Sequence, residues 1–165
     1  MQVRVEFSRG LSYLCLMQPL NFPPVKFRFK NRENKSLIFD VIRKKFVQLT
    51  PEEWVRQHCI HFLLYGKNFP ASHINVEREI RLHNTKKRYD IVVFYPDGRI
   101  RLIVECKAPS VLITQHTFDQ IARYNLALDA TYLMVTNGMD HYFASIDTEN
   151  ECYRFLETIP AYDKK

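Results

Sequence analysis

RYDIVVFYPDGRIRLIVECKAP, running from Arg88 to Pro109, decides the fold. It reads as two β-strands, Tyr89–Tyr95 and Arg99–Lys107, joined by a tight turn at Pro96-Asp97-Gly98. Proline presets φ, aspartate tolerates turn geometry and glycine accepts positive φ, so together the three mark a hairpin. Both strands are rich in Ile, Val, Leu, Phe and Tyr, the composition of a largely buried sheet. Against that background Asp90, Glu105 and Lys107 are out of place.

Their spacing carries chemistry. Glu105 and Lys107 are two apart on a strand, so both side chains leave one face. With Asp97-Gly98 as a two-residue turn, Pro96 pairs with Arg99 and Asp90 falls opposite Glu105, with Cβ atoms roughly 4.5–5.5 Å apart. A three-residue Pro-Asp-Gly loop instead sets Val104 opposite Asp90, unless a bulge restores the alignment. Two carboxylates that close repel, and without a cation one of them holds its proton. A divalent ion removes the repulsion, and oxygen ligation suits Mg²⁺ or Mn²⁺. Lys107 beside such an ion can position a water or stabilise charge growing on a phosphate. The plain alternative is a Glu-x-Lys pair on a solvated strand face, or a cross-strand ion pair worth about 0–1 kcal/mol.

Working outward, Thr50-Pro51-Glu52-Glu53 opens a helix, with Thr50 as N-cap, Pro51 in the first helical position and Glu53 completing a capping box. Trp54, Val55, Cys59, Phe62 and Leu63 give it an apolar face through about Tyr65, before Gly66. Ile74, Val76, Ile80 and Leu82 mark a strand, and Asn84 to Arg88 is expected to turn into the hairpin. Lys86, Lys87 and Arg88 stand just before Asp90, where they can contact phosphates or form only a basic turn. After Pro109 a helix is expected from Thr114 or Thr117 to Leu128, with Phe118, Ile121, Ala122, Asn125 and Leu128 facing inward. Gln120 and Tyr124 share one side of it. Ala130–Thr136 reads as a buried strand stopped by Asn137-Gly138, and strand–helix–strand order implies a right-handed crossover to a parallel neighbour. Two short strands, His141–Ile146 and Cys152–Leu156, follow, then a loose tail over Pro160–Lys165.

Before the first helix, Val25–Lys30 alternates cations with apolar groups, Asn31–Ser36 is a polar turn, and Leu37–Val41 returns as a strand. Arg43-Lys44-Lys45 reads as a solvated surface cluster or a phosphate contact. Residues 1–16 carry no functional reading, and Met17 is the expected domain start.

Asp90 followed by Glu105-Cys106-Lys107 resembles the PD-(D/E)XK nuclease signature, and Gln120-Ile-Ala-Arg-Tyr124 resembles the QxxxY element of its restriction-enzyme and RecB-like branch. Thr50–Gln57, the Asp90 hairpin, Val104–Pro109 and Thr136-Asn-Gly138 together resemble the N-terminal nuclease domain of type I restriction enzyme R subunits, over about Thr50–Ile146. The resemblance implies an α/β fold with a restriction-endonuclease-like αβββαβ core, a mixed central sheet flanked by helices, and extra short strands at both ends. It divides the chain into an N-terminal extension (1–49), a nuclease-like domain (50–158) and a tail (159–165). It implies a metal-dependent DNA endonuclease. Asp90, Glu105 and the Cys106 backbone carbonyl would hold Mg²⁺ or Mn²⁺, Lys107 and Gln120 would assist catalysis with Glu53 as accessory acid, and Lys86, Lys87, Arg88 and Tyr124 would bind DNA. Expected partners are DNA, restriction or methyltransferase subunits, and a second copy, since cutting both strands usually needs two sites. Unlike R subunits, the chain has no GxxxxGK[ST] phosphate loop, so it is expected to be free-standing. A nuclease-fold DNA-binding protein and a partner-dependent restriction or defence subunit are the rival readings.

Composition agrees without identifying a partner. The 165 residues carry net charge +6, 46% hydrophobic and 13% aromatic content, which excludes disorder and favours an anionic partner. Cysteines at 15, 59, 106 and 152 form no CxxC or zinc spacing and read as buried, reduced thiols of a cytoplasmic protein. His58 and His61 lack a third ligand nearby and read as structural. No apolar run approaches the roughly 20 residues of a membrane span.

Overall fold

In the computed structural model, which describes residues 17–82 and 85–163, the elements in chain order are β1 (Phe29–Arg32), β2 (Lys35–Asp40), β3 (Lys45–Gln48), α1 (Pro51–His61), β4 (Ile74–Leu82), β5 (Thr85–Phe94), β6 (Ile100–Cys106), α2 (Gln115–Leu126), β7 (Tyr132–Thr136), β8 (His141–Asp147) and β9 (Cys152–Leu156). From α1 to β7 they run αβββαβ, a mixed α/β architecture as expected. Strands β4 to β9 form one six-stranded sheet in sequence order, antiparallel except where β7 lies parallel to β6 after the α2 crossover.

Alternation along the strands explains the layers. Ile91, Val93, Leu102, Val104 and Cys106 pack with Val55, Cys59, Ile60 and Leu63 of α1. The interleaved Val92 and Ile103, with Leu133 and Val135, pack with Phe118, Ile121 and Ala122 of α2. Central strands covered on both faces must be apolar throughout, which is why they read as near-continuous hydrophobic runs. Each fully buried Val, Leu or Ile contributes about 1.5–3 kcal/mol. Both helices start where the sequence caps them: Thr50 accepts from the Glu53 N–H at 3.0 Å and Thr114 from the Thr117 N–H at 3.2 Å. A π-helical turn over Phe62–Gly66 ends the first.

The hairpin register is reached by the longer route. Tyr95 and Arg99 bracket a three-residue Pro96-Asp97-Gly98 loop, with the Tyr95 N–H donating to the Arg99 carbonyl at 2.8 Å and the Gly98 N–H to the Tyr95 carbonyl at 3.0 Å. Phe94 pairs with Ile100, but Val93 pairs with Leu102, so Arg101 is an extra, bulged residue. The bulge restores the alignment that the loop shifted, and from Ile91↔Val104 one further step sets Asp90 opposite Glu105.

A second irregularity lies across the same strand. Glu77 has φ 53°, and Val76↔Ile91 and Arg78↔Tyr89 flank an unpaired step at Glu77 and Asp90. Tyr89 packs on the α2 side and Ile91 on the α1 side, although strict alternation gives residues two apart the same face. Both strands therefore turn over at this step.

Several expectations are corrected. Lys86–Arg88 lie within β5 and are not a turn. A separate three-stranded antiparallel sheet, β1-β2-β3, precedes α1, and its third strand follows Arg43-Lys44 directly. The tail is held: Ile159 is fully buried, the Tyr162 N–H donates to the Lys67 carbonyl at 2.8 Å, and the Tyr162 ring packs by Phe69 and His73. Cys59 and Cys106 are buried, but Cys152 is exposed. Cys15 and the readings for residues 1–16 lie outside the described residues. Among the described residues no helix is long and apolar enough to cross a membrane.

Candidate functional site

The unpaired step at Asp90, the end of β6 and the start of α1 meet in a polar cleft of 620 Å³, whose lining includes Glu53, Arg56, Glu77, Asp90, Glu105 and Lys107. Asp90 reaches it because its strand turns over there. Its Oδ2 accepts from the Cys106 backbone N–H at 2.7 Å, and its Oδ1 accepts from Arg56 Nη2 at 2.6 Å. That first bond ties β5 to the residue between Glu105 and Lys107, so the backbone itself fixes Asp90 against the Glu-Cys-Lys run.

Glu105 shares the parity of Ile103 and lies toward α2. It is 8% exposed, and its Oε1 is 3.2 Å from Lys87 Nζ. The Lys87 ammonium also lies over the Tyr89 ring at 4.6 Å and the Tyr124 ring at 5.2 Å, so Lys87 links Glu105 to the exposed Tyr124 of α2. Burial raises the Glu105 pKa, the charge of Asp90 raises it further, and Lys87 and Lys107 oppose both. Burial and Glu105 also push the Tyr89 hydroxyl up to about 12. Lys107 follows β6, held by its backbone N–H on the Thr136 carbonyl at 2.8 Å.

Glu53 enters the same cleft from the first turn of α1. The helix cap uses its backbone N–H, but its carboxylate turns inward: Oε1 accepts from Arg43 Nη2 at 2.5 Å and Gln57 Nε2 at 2.8 Å, and Oε2 accepts from Arg56. The reciprocal half of the expected capping box is not made among the described residues. Two arginines thus hold the carboxylates together. Arg56 donates to Glu53, Asp90 and Glu52; burial lowers its pKa, but the charges of Asp90 and Glu53 outweigh that and raise it. Arg43 donates to Glu53, to Asp40 at 2.6 Å and to Glu77 at 2.6 Å. The Cys106 thiol is pushed well up by its hydrogen bond to Cys59 and by burial, which leaves it an inert structural thiol.

Asp90, Glu105, Lys107, Cys106 and Glu53 therefore come together, with Lys87 and Tyr124 at one rim and Arg88 in the lining. Gln120 is exposed one turn before Tyr124. Lys86 points to Glu79, 3.5 Å away. The residues that the sequence underrated are Arg43, Asp40 and Glu77. Arg43 looked like one of three solvated cations, yet only 12% of its side chain is exposed. Arg56 had a usable signal, standing three residues after Glu53 on one helix. Glu77 had none, since nothing local marks a glutamate for the left-handed region.

Whether these residues suit a metal ion turns on donor chemistry. Carboxylates at Asp90 and Glu105 and the carbonyl of Cys106 are all-oxygen donors, which fit a hard divalent cation. Among the described residues no three His, Cys, Asp or Glu side chains are gathered closely enough to chelate an ion as they stand, and Arg56 and Lys87 provide the neutralising charge.

Residues 51–160 match the family model described as type I restriction enzyme R protein N terminus. The chain is also similar to a solved fragment described as an HsdR subunit of a type I restriction enzyme from Vibrio vulnificus YJ016, at TM-score 0.46 and 21% identity, over 68% of this chain and 24% of that one. This chain thus spans about a quarter of the length of that solved fragment. No curated protein matches.

Proposed function

We propose that this chain, which belongs to the type I restriction enzyme R protein N-terminus family, is a divalent-metal-dependent nuclease module of PD-(D/E)XK type that hydrolyses DNA phosphodiesters. One observation carries the reading: Asp90, Glu105 and Lys107, drawn from two strands, line a single cleft together with Glu53 from α1. Mg²⁺ or Mn²⁺ would be held by Asp90, Glu105 and the Cys106 carbonyl, where it supplies charge stabilisation and a more acidic water.

The protein's own groups do the rest. Asp90 is oriented by the Cys106 N–H and cannot rotate freely, which preorganises its second oxygen. Lys107 supplies a cation beside Glu105, able to orient a water or to neutralise charge growing on a phosphate oxygen. Lys87, stacked between Tyr89 and Tyr124, holds Glu105 and presents positive charge at the rim. Glu53 positions Arg43 and Arg56, and Arg56 in turn fixes Asp90. Restriction or methyltransferase subunits, or a second copy of the chain, are the partners that such a module would join.

The test is cleavage of plasmid and single-stranded DNA with Mg²⁺ or Mn²⁺, beside a Lys107→Ala control. The expected result is cleavage that EDTA and the substitution both abolish while the thermal melt is unchanged. Intact DNA with both metals would refute autonomous hydrolysis and leave a binding-only or partner-dependent module.

A further inference from the structure

The segment Lys26–Lys45, which carries the small sheet before α1, holds a net charge equal to that of the whole chain. Between Lys26 and Lys45 stand eight cations, Lys26, Arg28, Lys30, Arg32, Lys35, Arg43, Lys44 and Lys45, against Glu33 and Asp40. That leaves +6, which equals the net charge of the whole 165-residue chain, so the remainder is neutral on balance. This sheet also lies outside the stretch 51–160 that matches the family.

The two sides of the sheet differ. Phe27 and Phe29 pack toward α1, with ring centroids 5.1 and 6.4 Å from that of Trp54, and Ile38 and Asp40 are fully buried. Alternation sends Arg28, Lys30, Phe39, Phe46 and Gln48 to the other side, as the pairs Lys30↔Leu37, Leu37↔Gln48 and Phe39↔Phe46 require. There the Arg28 guanidinium lies 4.3 Å over the Phe39 ring, Lys30 lies 5.8 Å over Phe46, and the two rings meet edge to face at 5.2 Å. Cations layered on aromatic rings on an open sheet form the kind of surface that takes a phosphate backbone and stacks bases without reading sequence.

The edge strand β3 lines the same cleft as Asp90, Glu105 and Lys107, with Phe46 and Gln48 coming from this face and Lys45 and Val47 from the other. Arg43, in the turn between β2 and β3, fastens the sheet to Glu53 and Glu77 at the floor. We propose that the outer face of β1–β3 is a nucleic-acid-binding surface that holds the phosphate backbone and leads it to the cleft, a role that deepens the nuclease reading and rests on it for the identity of the ligand.

The experiment measures binding apart from cleavage. Fluorescence anisotropy of labelled single-stranded and duplex oligonucleotides is followed in EDTA over a series of salt concentrations. The proteins compared are the wild type, the double variant Arg28→Glu/Lys30→Glu and, as a charge-reversal control outside the cleft lining, Arg154→Glu on β9. Both sheet residues are exposed, and a thermal melt checks the fold. Should that variant not fold, Lys26→Glu/Lys44→Glu, exposed positions just before β1 and in the β2–β3 turn, takes its place. The expected result is affinity at least tenfold weaker in the sheet variant, with a salt slope shallower by about 1–2, because each lost phosphate contact removes roughly 0.7–0.9 from it. Arg154→Glu is expected to bind like the wild type. Unchanged affinity and slope in a folded sheet variant, or polyglutamate competing as well as DNA, would overturn the proposal. Binding lost in the sheet variant while no protein cleaves with metal would refute the hydrolytic reading and leave this surface standing.

Discussion

Replacing Arg56 by methionine keeps the side-chain volume and removes a guanidinium that is 6% exposed and bonds Glu53 and Asp90. Both carboxylates are left in the cleft wall, with 7% and 13% of their side chains exposed. Glu53 keeps Arg43 and Gln57, so Asp90 is the charge left desolvated and uncompensated, and removing one partner of a buried ion pair costs about 3–5 kcal/mol. The third pair, with Glu52, adds under about 1 kcal/mol since Glu52 is half exposed. For a chain of this size the loss corresponds to a fall of roughly 10 °C in Tm. Urea unfolding followed by circular dichroism at neutral pH without metal measures it. If the cost is electrostatic, Asp90→Asn introduced into the Arg56→Met background relieves part of it. The double variant should then be at least about 1 kcal/mol more stable than the sum of the single changes predicts. A single-variant loss below about 1 kcal/mol, or strict additivity, would refute the view that arginine charge holds this site together. On the metal reading, Mn²⁺ should also raise the Tm of Arg56→Met more than that of the wild type.

His58 is buried, with its pKa lowered by burial to about 4, and His61 is shifted down for the same reason. The unfolded chain therefore binds protons first: stability is complete above about pH 6.5 and declines as the pH falls towards 4, by roughly 3 kcal/mol from His58. Urea midpoints from pH 7.5 to 4.5 should show this slope in the wild type and a shallower one in His58→Phe, and equal slopes would count against it. Gly138 has φ +85°, and a Cβ there would lie 2.8 Å from Leu20 Cδ2 and 3.1 Å from Val55 Cγ2. Gly138→Ala should thus cost about 1–3 kcal/mol, and a wild-type Tm would contradict the strained fit. Asp40, fully buried, accepts from the Ile42 and Arg43 N–H groups, the Arg43 guanidinium and the Gln57 amide. Asp40→Ala should cost about 3 kcal/mol and speed tryptic cutting after Arg43, Lys44 or Lys45; unchanged digestion would show that the small sheet is held by other contacts.

The αβββαβ order was legible because each part has a local cause. The Pro96-Asp97-Gly98 turn, the Thr50 and Thr114 caps and the apolar runs of β5, β6 and β7 are each set by residues within a few positions of one another. Asp90, Glu105 and Lys107 stood out for the same reason, as polar residues in strands that must be apolar. The four-residue β3 was lost beside its basic neighbours, being too short to show a period. Local pattern could not choose between two registers for the hairpin, because the loop length and the bulge at Arg101 shift it in opposite senses and only their sum sets Asp90 against Glu105.

What the tertiary structure alone decided is where charge sits. Arg43 reads as solvated until β2 and β3 carry it against Glu53 and Glu77, and Arg56 meets Asp90 across 34 positions of chain. The left-handed backbone at Glu77, with the turning over of β4 and β5 beside it, brings Asp90 to the α1 side. Periodicity and capping act over one turn of helix or a few residues of strand, so a sequence carries them openly. Ion pairing in a desolvated cleft depends on which distant segments exclude water together, and no stretch of the chain holds that information by itself.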